Sequence, residues 1–315
     1  MNFLLGRSLA PATTRAYNSA FQHYLQFCST HNFKALPIWE TNLMLFITSI
    51  SQHSVSNIKI HICAIKHYST IYTGQCGSHY PRLYMLVRSI KRKNRKRPKR
   101  APVTLPKLKL IFNYLTESSL PQHDKLMLWA AVTTGFFGFL RSSEYVSPLT
   151  RRFDPEKTLC FEDITYKHPN IHIQIKSSKT DPFREGCSIC LAPSNADVCP
   201  VTNLIAYMNQ HPVKSGPLFT YTDHTLLTQR RLNALLKSAI PSNPNNPISS
   251  HSLRIGAATT AASAGLPRWL IQQLGRWVSD CFRTYIRIPQ NTFKDVSNTL
   301  ATTIAEGTVF DPDLA

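Results

Sequence analysis

Residues 249–287 read SSHSLRIGAATTAASAGLPRWLIQQLGRWVSDCFRTYIR and predict three short helices in succession. The first helix is rich in small apolar residues, so it can pack closely against its neighbours. Its boundaries and those of the next two helices are marked by residues typical of helix starts and ends, namely Ser249 or Ser250, Gly265, Pro267, Gly275 and Ser279. Short consecutive helices of this kind bring side chains that are distant in sequence toward one pocket.

Four side chains of this stretch can carry chemistry. His251 and Arg254 are one turn apart and share a helix face. Trp277 follows the second helix, and Tyr285 lies on the apolar stripe of the third. Taken singly, they read as a capping histidine, a surface arginine and two buried aromatic residues. They indicate a functional site only together, and only with further partners upstream.

The composition of the chain points to a polyanionic partner. Its 315 residues suffice for one large or two ordinary domains, and the formal net charge is +19. Lysine and arginine side chains that neutralise phosphates release condensed counterions, so nucleic acid is the expected ligand. An anionic membrane surface would also attract this charge. However, no segment approaches the roughly 20 apolar residues that span a bilayer, and no signal peptide is evident. We therefore expect a soluble, intracellular protein.

The eight cysteines predict no disulfide framework or metal centre. Cys187 and Cys190 alone have the spacing of a metal knuckle, and no second such pair follows them. They also fall within an apolar, strand-like run, where cysteine acts as a small hydrophobic residue. Reduced thiols in a reducing compartment are the favoured interpretation over a zinc site.

The N-terminal part of the chain is predicted to be helical. Apolar residues recur at helical spacing through residues 1–90 and predict a compact module of four helices. The sequence KRKNRKRPKR follows at Lys91–Arg100, and like charges this dense cannot be buried, so we predict a basic linker over 91–103. The linker is a solvated tether, a strap on DNA phosphates or a nuclear import signal, and in so basic a chain DNA contact is favoured.

Beyond the linker, residues 104–292 predict a second domain of helices and a few strands. Glycines at positions 135 and 138 predict a break in an apolar helix. Three stretches have the composition of strands: Leu159–Tyr166, Ile171–Lys176 and Gly186–Leu191. Residues 293–315 predict a polar C-terminal helix, around Phe293–Ile304, and an acidic tail.

Two upstream segments offer partners for the C-terminal cluster. Arg141 stands at the predicted start of a helix, where its guanidinium can enter a cleft. Glu144, one turn later, can hold that guanidinium by a charge-assisted hydrogen bond. Lys179 lies between the second and third predicted strands, and a hairpin loop can carry it into a site built mostly by helices.

The ordered set Arg141-x-x-Glu144, Lys179, His251-x-x-Arg254, Trp277 and Tyr285 resembles the tyrosine recombinases, the phage-integrase family. The resemblance covers about 104–290 in the order and nearly the spacing of the family. It implies a mainly α fold with a small antiparallel β-sheet (α+β), arranged as a C-shaped clamp. A helical, SAM-like core-binding domain (1–90) would precede the catalytic domain (104–292).

The resemblance also implies a role for each matched residue. Arg141 and Arg254 would clamp the scissile phosphate, where their guanidinium groups stabilise charge on the non-bridging oxygens. Tyr285 would attack phosphorus and form a 3′-phosphotyrosyl bond. The bond keeps the energy of the phosphoester, so resealing needs no ATP.

The remaining matched residues would move protons and shape the site. Lys179 would be the general acid for the leaving 5′ oxygen, and His251 would assist proton transfer at the nucleophile. Trp277 would supply packing and an indole N–H where many members have histidine. Neither a cofactor nor a metal ion is expected, because two arginines supply the positive charge.

One departure from the family concerns the nucleophile. The gap from Trp277 to Tyr285 is one residue shorter than in familiar bacterial and phage members. The motif Gly275-Arg-Trp277 with Tyr-Ile-Arg287 is more similar to recombinases of eukaryotic mobile elements, such as DIRS-type retroelements and Cryptons.

The main interpretation is therefore a site-specific recombinase or integrase that acts on double-stranded DNA as a homotetramer on paired sites, without a membrane. Its location would be the nucleus of a eukaryote or, in a bacterium, the cytoplasm and nucleoid. Two alternatives stay open: a monomeric type IB topoisomerase-like nickase, and a catalytically silent, domesticated DNA-binding protein derived from a mobile element.

Overall fold

The structure is a computed structural model that describes residues 8–74, 80–94, 98–178, 181, 183–194, 196, 198–241 and 243–287. The chain divides into two compact units, Met1–Arg97 and Pro98–Ala315. Within the described residues, no helix combines the length and apolarity needed to cross a bilayer. The predicted helix Phe293–Ile304 lies outside the described residues.

The first unit is built from helices around a core of aromatic and branched side chains. The helices are α1 (Pro11–Thr30), α2 (Glu40–Ser49), α3 (Val55–Thr73) and α4 (Pro81–Lys93). Helix α1 packs against α3, and α2 packs against α4. The side chains of Tyr24, Phe46, Ile58 and Ile65 are fully enclosed between them.

Helix α4 extends into the basic segment that was predicted to be a linker from Lys91 onward. Its last three residues, Lys91, Arg92 and Lys93, are exposed and complement the helix dipole, which favours positive charge at the C-terminus. These charged side chains cannot be buried in a core, but they can lie on the exposed surface of a helix. The helix ends at Lys93, and Asn94 has an extended backbone.

The second unit surrounds one apolar helix. Its helices are α5 (Leu105–Glu117), α6 (Gln122–Phe137), α7 (Ser142–Tyr145), α8 (Pro200–Gln210), α9 (Gln229–Ala239), α10 (His251–Ser263) and α11 (Arg268–Leu274). Helix α6 packs against both α8 and α10. Because every residue from Met127 to Phe136 is buried, α6 is apolar all round, as expected of a central helix.

Helix α6 is not broken at Gly135, contrary to the prediction. It continues to Phe137, and a Cβ at position 135 would lie 2.4 Å from the Tyr145 hydroxyl oxygen. The glycine therefore serves close packing of α7 against α6. The helix ends at Gly138, where the chain turns toward Arg141.

A small antiparallel sheet completes the second unit. Strands β1 (Ile164–Lys167), β2 (Asn170–Ile175) and β3 (Cys187–Leu191) pair in the order β1-β2-β3. The first strand begins later than predicted, because Phe161–Asp163 forms a 3₁₀ turn in which the Cys160 N–H donates to Asp163 Oδ2 at 2.7 Å. The mainly α fold with a small antiparallel sheet is confirmed.

Candidate active site

Helix α10 presents His251 in its first turn and Arg254 one turn later. Neither predicted serine caps this helix through its side chain; instead the Ser249 N–H donates to Ser252 Oγ at 3.1 Å. Gly256 allows α10 to touch the segment before α5, since a Cβ there would lie 1.8 Å from the Val103 carbonyl oxygen. The helix is thereby fixed at its N-terminal half, where the two polar side chains are.

The Arg254 guanidinium is fully buried in this cluster. Its two terminal nitrogens donate to the carbonyl oxygens of Phe139 and Gly275. Its central carbon lies 4.4 Å from the centre of the Trp277 ring and 5.9 Å from that of the Tyr285 ring. Arg254 therefore connects the chain just before Arg141 with the turn that carries Trp277.

Trp277 fills the space beneath that guanidinium. It is buried, and a Cβ at Gly275 would lie 1.7 Å from the indole ring, so only glycine permits this turn. Its ring centroid is 4.9 Å from that of Tyr285. The indole Nε1 and the Arg254 Nε are buried donors for which the described residues provide no acceptor. Buried donors of this kind call for an acceptor, and an anionic oxygen would suit both.

Tyr285 follows a short 3₁₀ helix, Asp280–Thr284, instead of lying within the predicted third helix. Its ring meets the His251 ring edge-on, with centroids 5.2 Å apart. The Thr259 hydroxyl of α10 donates to the Tyr285 carbonyl at 3.3 Å and accepts the Arg287 N–H at 3.1 Å. Backbone and ring are thus both held against α10.

The short gap between Trp277 and Tyr285 is compatible with this contact. A 3₁₀ helix rises about 2.0 Å per residue against about 1.5 Å in an α-helix, so fewer residues cover the same distance. Phe282, buried at the centre of the 3₁₀ helix, packs on Trp277 with ring centroids 6.2 Å apart. The segment thus places Tyr285 against His251 of the same chain.

Arg141 reaches the cluster from the start of α7. Its Nη1 donates to Glu144 Oε1 and to Ser178 Oγ, both at 2.9 Å, and the Ser178 hydroxyl donates to the same carboxylate oxygen at 2.8 Å. The predicted pairing of Arg141 with Glu144 is therefore present. Lys179, the next residue after Ser178, lies outside the described residues.

His251 is held in its neutral form by its surroundings. Burial lowers the pKa of His251 to about 4, and the positive charges of Arg100, Arg254 and Arg141 add to the effect. At neutral pH the imidazole therefore has a lone pair that can accept a proton. The charge of Arg141 also lowers the pKa of Arg254, after the larger effect of burial, so these cations lie close together.

A known protein and several solved structures are similar to this chain over most of its length. No family model matches the chain. An integrase/recombinase xerD homolog of Selenomonas ruminantium is 24% identical over 309 residues, which cover 92% of this chain and 85% of the relative. In sequence and in fold, the chain is similar to the tyrosine recombinases.

Solved structures of recombinases share the fold of this chain. XerH site-specific recombinase bound to palindromic difH substrate, a post-cleavage complex, matches with a TM-score of 0.62 and 14% identity, over 93% of this chain and 80% of that one. A lambda integrase tetramer bound to a Holliday junction matches with a TM-score of 0.61 and 14% identity, over 90% and 74% of the two chains.

Sequence reasoning missed one charged residue of this site. Arg276 Nη2 donates to Glu144 Oε2 at 2.6 Å, and the backbone of Arg276 has a φ of +52°. The motif Gly275-Arg-Trp277 drew attention to its neighbours, but no local pattern pairs residues 132 positions apart. Five of the six predicted site residues converge in the described structure: Arg141, His251, Arg254, Trp277 and Tyr285.

Proposed function

We propose that this protein is a tyrosine recombinase, which cleaves and rejoins DNA at specific sites through a covalent bond between the Tyr285 oxygen and a 3′ phosphate. One observation carries the proposal: the Tyr285 ring packs on His251 and Trp277, with the Arg254 guanidinium carbon 5.9 Å from its centre. A tyrosine that only packs in a core does not require a histidine and a buried arginine beside its ring. Tyr285 acts in the site of its own chain.

Arg141 and Arg254 bind the scissile phosphodiester. The tyrosine oxygen attacks phosphorus, the bond to the 5′ oxygen breaks, and negative charge grows on the non-bridging oxygens in between. Guanidinium groups held in place beforehand stabilise that charge without reorganisation. The unpartnered N–H groups of Arg254 and Trp277 are suited to these oxygens. The reverse attack, by a 5′-hydroxyl, restores the DNA strand.

Two residues transfer the protons. His251 is neutral before DNA binds, because burial and the positive charges around it disfavour an imidazolium. Once the DNA phosphate offsets those charges, His251 can accept the proton of the Tyr285 hydroxyl. Lys179 donates a proton to the leaving 5′ oxygen. The position of Ser178, which is hydrogen-bonded to Arg141 and Glu144, supports this role, because Lys179 is the next residue in the sequence.

The working form is a homotetramer on two duplexes. The lambda integrase match, a tetramer on a Holliday junction, supports this assembly. Residues 1–90 form the core-binding domain, 91–103 the basic linker to the catalytic domain (104–292), and 293–315 the C-terminal helix and tail. The basic linker favours the nucleus as the location in a eukaryote; in a bacterium the location is the cytoplasm and nucleoid. The protein derives from a mobile element.

Covalent trapping tests the function. The protein is incubated with nicked suicide duplexes randomised around the nick, in which cleavage releases a short fragment and cannot reverse. Wild type is expected to become linked to DNA, and Tyr285→Phe is expected to bind DNA without linkage. Binding without any adduct would favour the domesticated DNA-binding protein. Adducts together with plasmid relaxation by a monomer, and no pairing of duplexes, would favour the topoisomerase.

A further inference from the structure

Arg276 combines a strained backbone with an enclosed charge. Its φ of +52° is a conformation that residues with a Cβ adopt rarely, and only 17% of its side chain is exposed. Its neighbours carry two of the contacts described above: the Gly275 carbonyl accepts from Arg254, and the Trp277 ring lies under the same guanidinium. The backbone at this position therefore sets the place of both contacts.

The Arg276 side chain extends to the residues around the start of α7, at the other end of the site. Its Nη2 lies 2.6 Å from Glu144 Oε2, and its Nη1 donates to the Gly138 carbonyl at 3.4 Å. The side chain of Glu144 is fully buried and holds Arg141 through both the backbone N–H and Nη1, each at 2.9 Å. One carboxylate therefore joins the Trp277 turn to the start of α7.

Glu144 depends on these partners to remain charged. Burial raises the pKa of Glu144, but the charge of Arg276 and the hydrogen bonds from Arg141 and Ser178 outweigh it, so the pKa lies below its usual value. Other titratable groups that interact with this carboxyl are Arg254, Cys187 and Tyr145. The charge of Arg276 is the largest single effect that lowers this pKa.

We propose that Arg276 is a positioning residue for the reaction: by binding Glu144 it keeps that carboxylate charged, which fixes Arg141, and it fixes the turn on which Arg254 and Trp277 rest. The inference rests on the proposed function of the site. A residue that only stabilised the fold would lower the amount of active protein equally at every pH. A residue that acts through Glu144 changes how the site responds to pH.

Arg276→Gly is the informative variant, because glycine accepts a φ of +52° and so removes the ion pair with Glu144, and the long hydrogen bond to the Gly138 carbonyl, without straining the backbone. Two quantities are measured between pH 5 and pH 8.5: the melting temperature, and the rate of adduct formation on a nicked suicide duplex at saturating protein. Arg276→Lys, Arg276→Gly with Glu144→Gln, and Arg283→Ala are compared. Arg283 pairs with Asp280 at 2.9 Å on the surface and serves as the matched arginine control.

Without Arg276, burial raises the pKa of Glu144. A carboxyl with a raised pKa loses stability as pH rises through that value, so the melting temperature of Arg276→Gly falls further below wild type toward pH 8.5. Adding Glu144→Gln restores it. Below the new pKa, the adduct rate of Arg276→Gly drops about tenfold per pH unit, since the neutral carboxyl releases Arg141. Arg276→Lys recovers most of the rate, and Arg283→Ala keeps the wild-type profile.

The outcomes separate this inference from the proposed function. The inference is overturned if the melting temperature and the adduct rate of Arg276→Gly depend on pH as they do in wild type. A loss of melting temperature and rate that is equal at every pH would also overturn it. If wild type itself forms no adduct, the proposed function fails. In that case the melting temperatures alone decide whether Arg276 keeps Glu144 charged. If the melting temperatures of wild type and Arg276→Gly change in parallel with pH, Arg276 does not keep Glu144 charged.

Discussion

At the scale of single residues, the absence of one side chain at Gly275 decides whether Trp277 can lie beneath Arg254. The backbone there is not strained, so the requirement is space alone. Gly265, ten residues earlier, is the converse: its φ is +76°, and a Cβ would meet nothing within 4 Å. The two positions separate the effects of packing and of backbone conformation.

We expect Gly275→Ala to lower the free energy of unfolding by about 3 kcal/mol, because the methyl group displaces the indole from a filled core. Gly265→Ala is expected to cost about 1 kcal/mol, from backbone strain alone. Urea denaturation of both variants checks this. Equal losses would contradict the packing of Trp277 against Gly275.

The sequence predicts individual residues of the site better than the links between them. Arg141, His251, Arg254 and Tyr285 stand out because each has chemistry suited to phosphate and a motif around it. Arg276 does not, since its partner Glu144 comes from a distant helix and its positive φ leaves no mark in a local pattern. Long-range pairs of this kind are set by tertiary packing.

At the scale of elements, helix α10 holds the candidate nucleophile through its backbone. Thr259 is the contact: its hydroxyl joins the Tyr285 carbonyl and the Arg287 N–H. The 3₁₀ helix before Tyr285 is short, so these bonds and the ring contacts define where the tyrosine stands.

Thr259→Val keeps the shape of the side chain and removes the hydroxyl. We expect a loss of about 1 kcal/mol per hydrogen bond in the free energy of unfolding, and an adduct rate about tenfold lower, with DNA affinity unchanged. Thr259→Ser retains the hydroxyl and should behave as wild type. Single-turnover trapping and a binding titration measure the two quantities. A slower adduct rate in both variants would contradict the role of the Thr259 hydroxyl in positioning Tyr285.

Element types could be predicted where the pattern was long. Helices α1 and α10 and the hairpin of β2 and β3 follow from periodicity and turn residues. The start of β1 was predicted wrongly, since the Asp163 carboxylate bonds the Cys160 N–H and closes a turn within an apolar run. The break at Gly135 was wrong because the glycine serves contact between helices.

At the scale of the whole molecule, a net charge of +19 makes DNA binding dependent on salt. The logarithm of affinity falls with the logarithm of salt concentration by about 0.9 for each phosphate neutralised. Replacing the exposed Lys91, Arg92 and Lys93 with glutamine should reduce this slope by up to about 3. Lys157→Gln, which breaks a surface pair with Asp154, is the control. An unchanged slope in the triple variant would exclude phosphate contact by these residues.

The proposed assembly on two duplexes raises the question of which chain supplies the tyrosine, and this can be tested. Tyr285→Phe and Arg254→Ala are each expected to be inactive in trapping. Because Tyr285 packs on its own chain's His251, a mixture of the two variants should stay inactive. Recovery of adduct in the mixture would show that one chain delivers its tyrosine to another.

The most direct test of the account is to locate the bond between protein and DNA. Adducts from a suicide duplex are digested with nuclease and trypsin, and the linked peptide is sequenced by mass spectrometry. We expect a 3′-nucleotide attached to Tyr285 within the tryptic peptide Thr284–Arg287, and a free 5′-hydroxyl on the released strand. A nucleotide on any other residue, or an adduct formed by Tyr285→Phe at the wild-type rate, would contradict it.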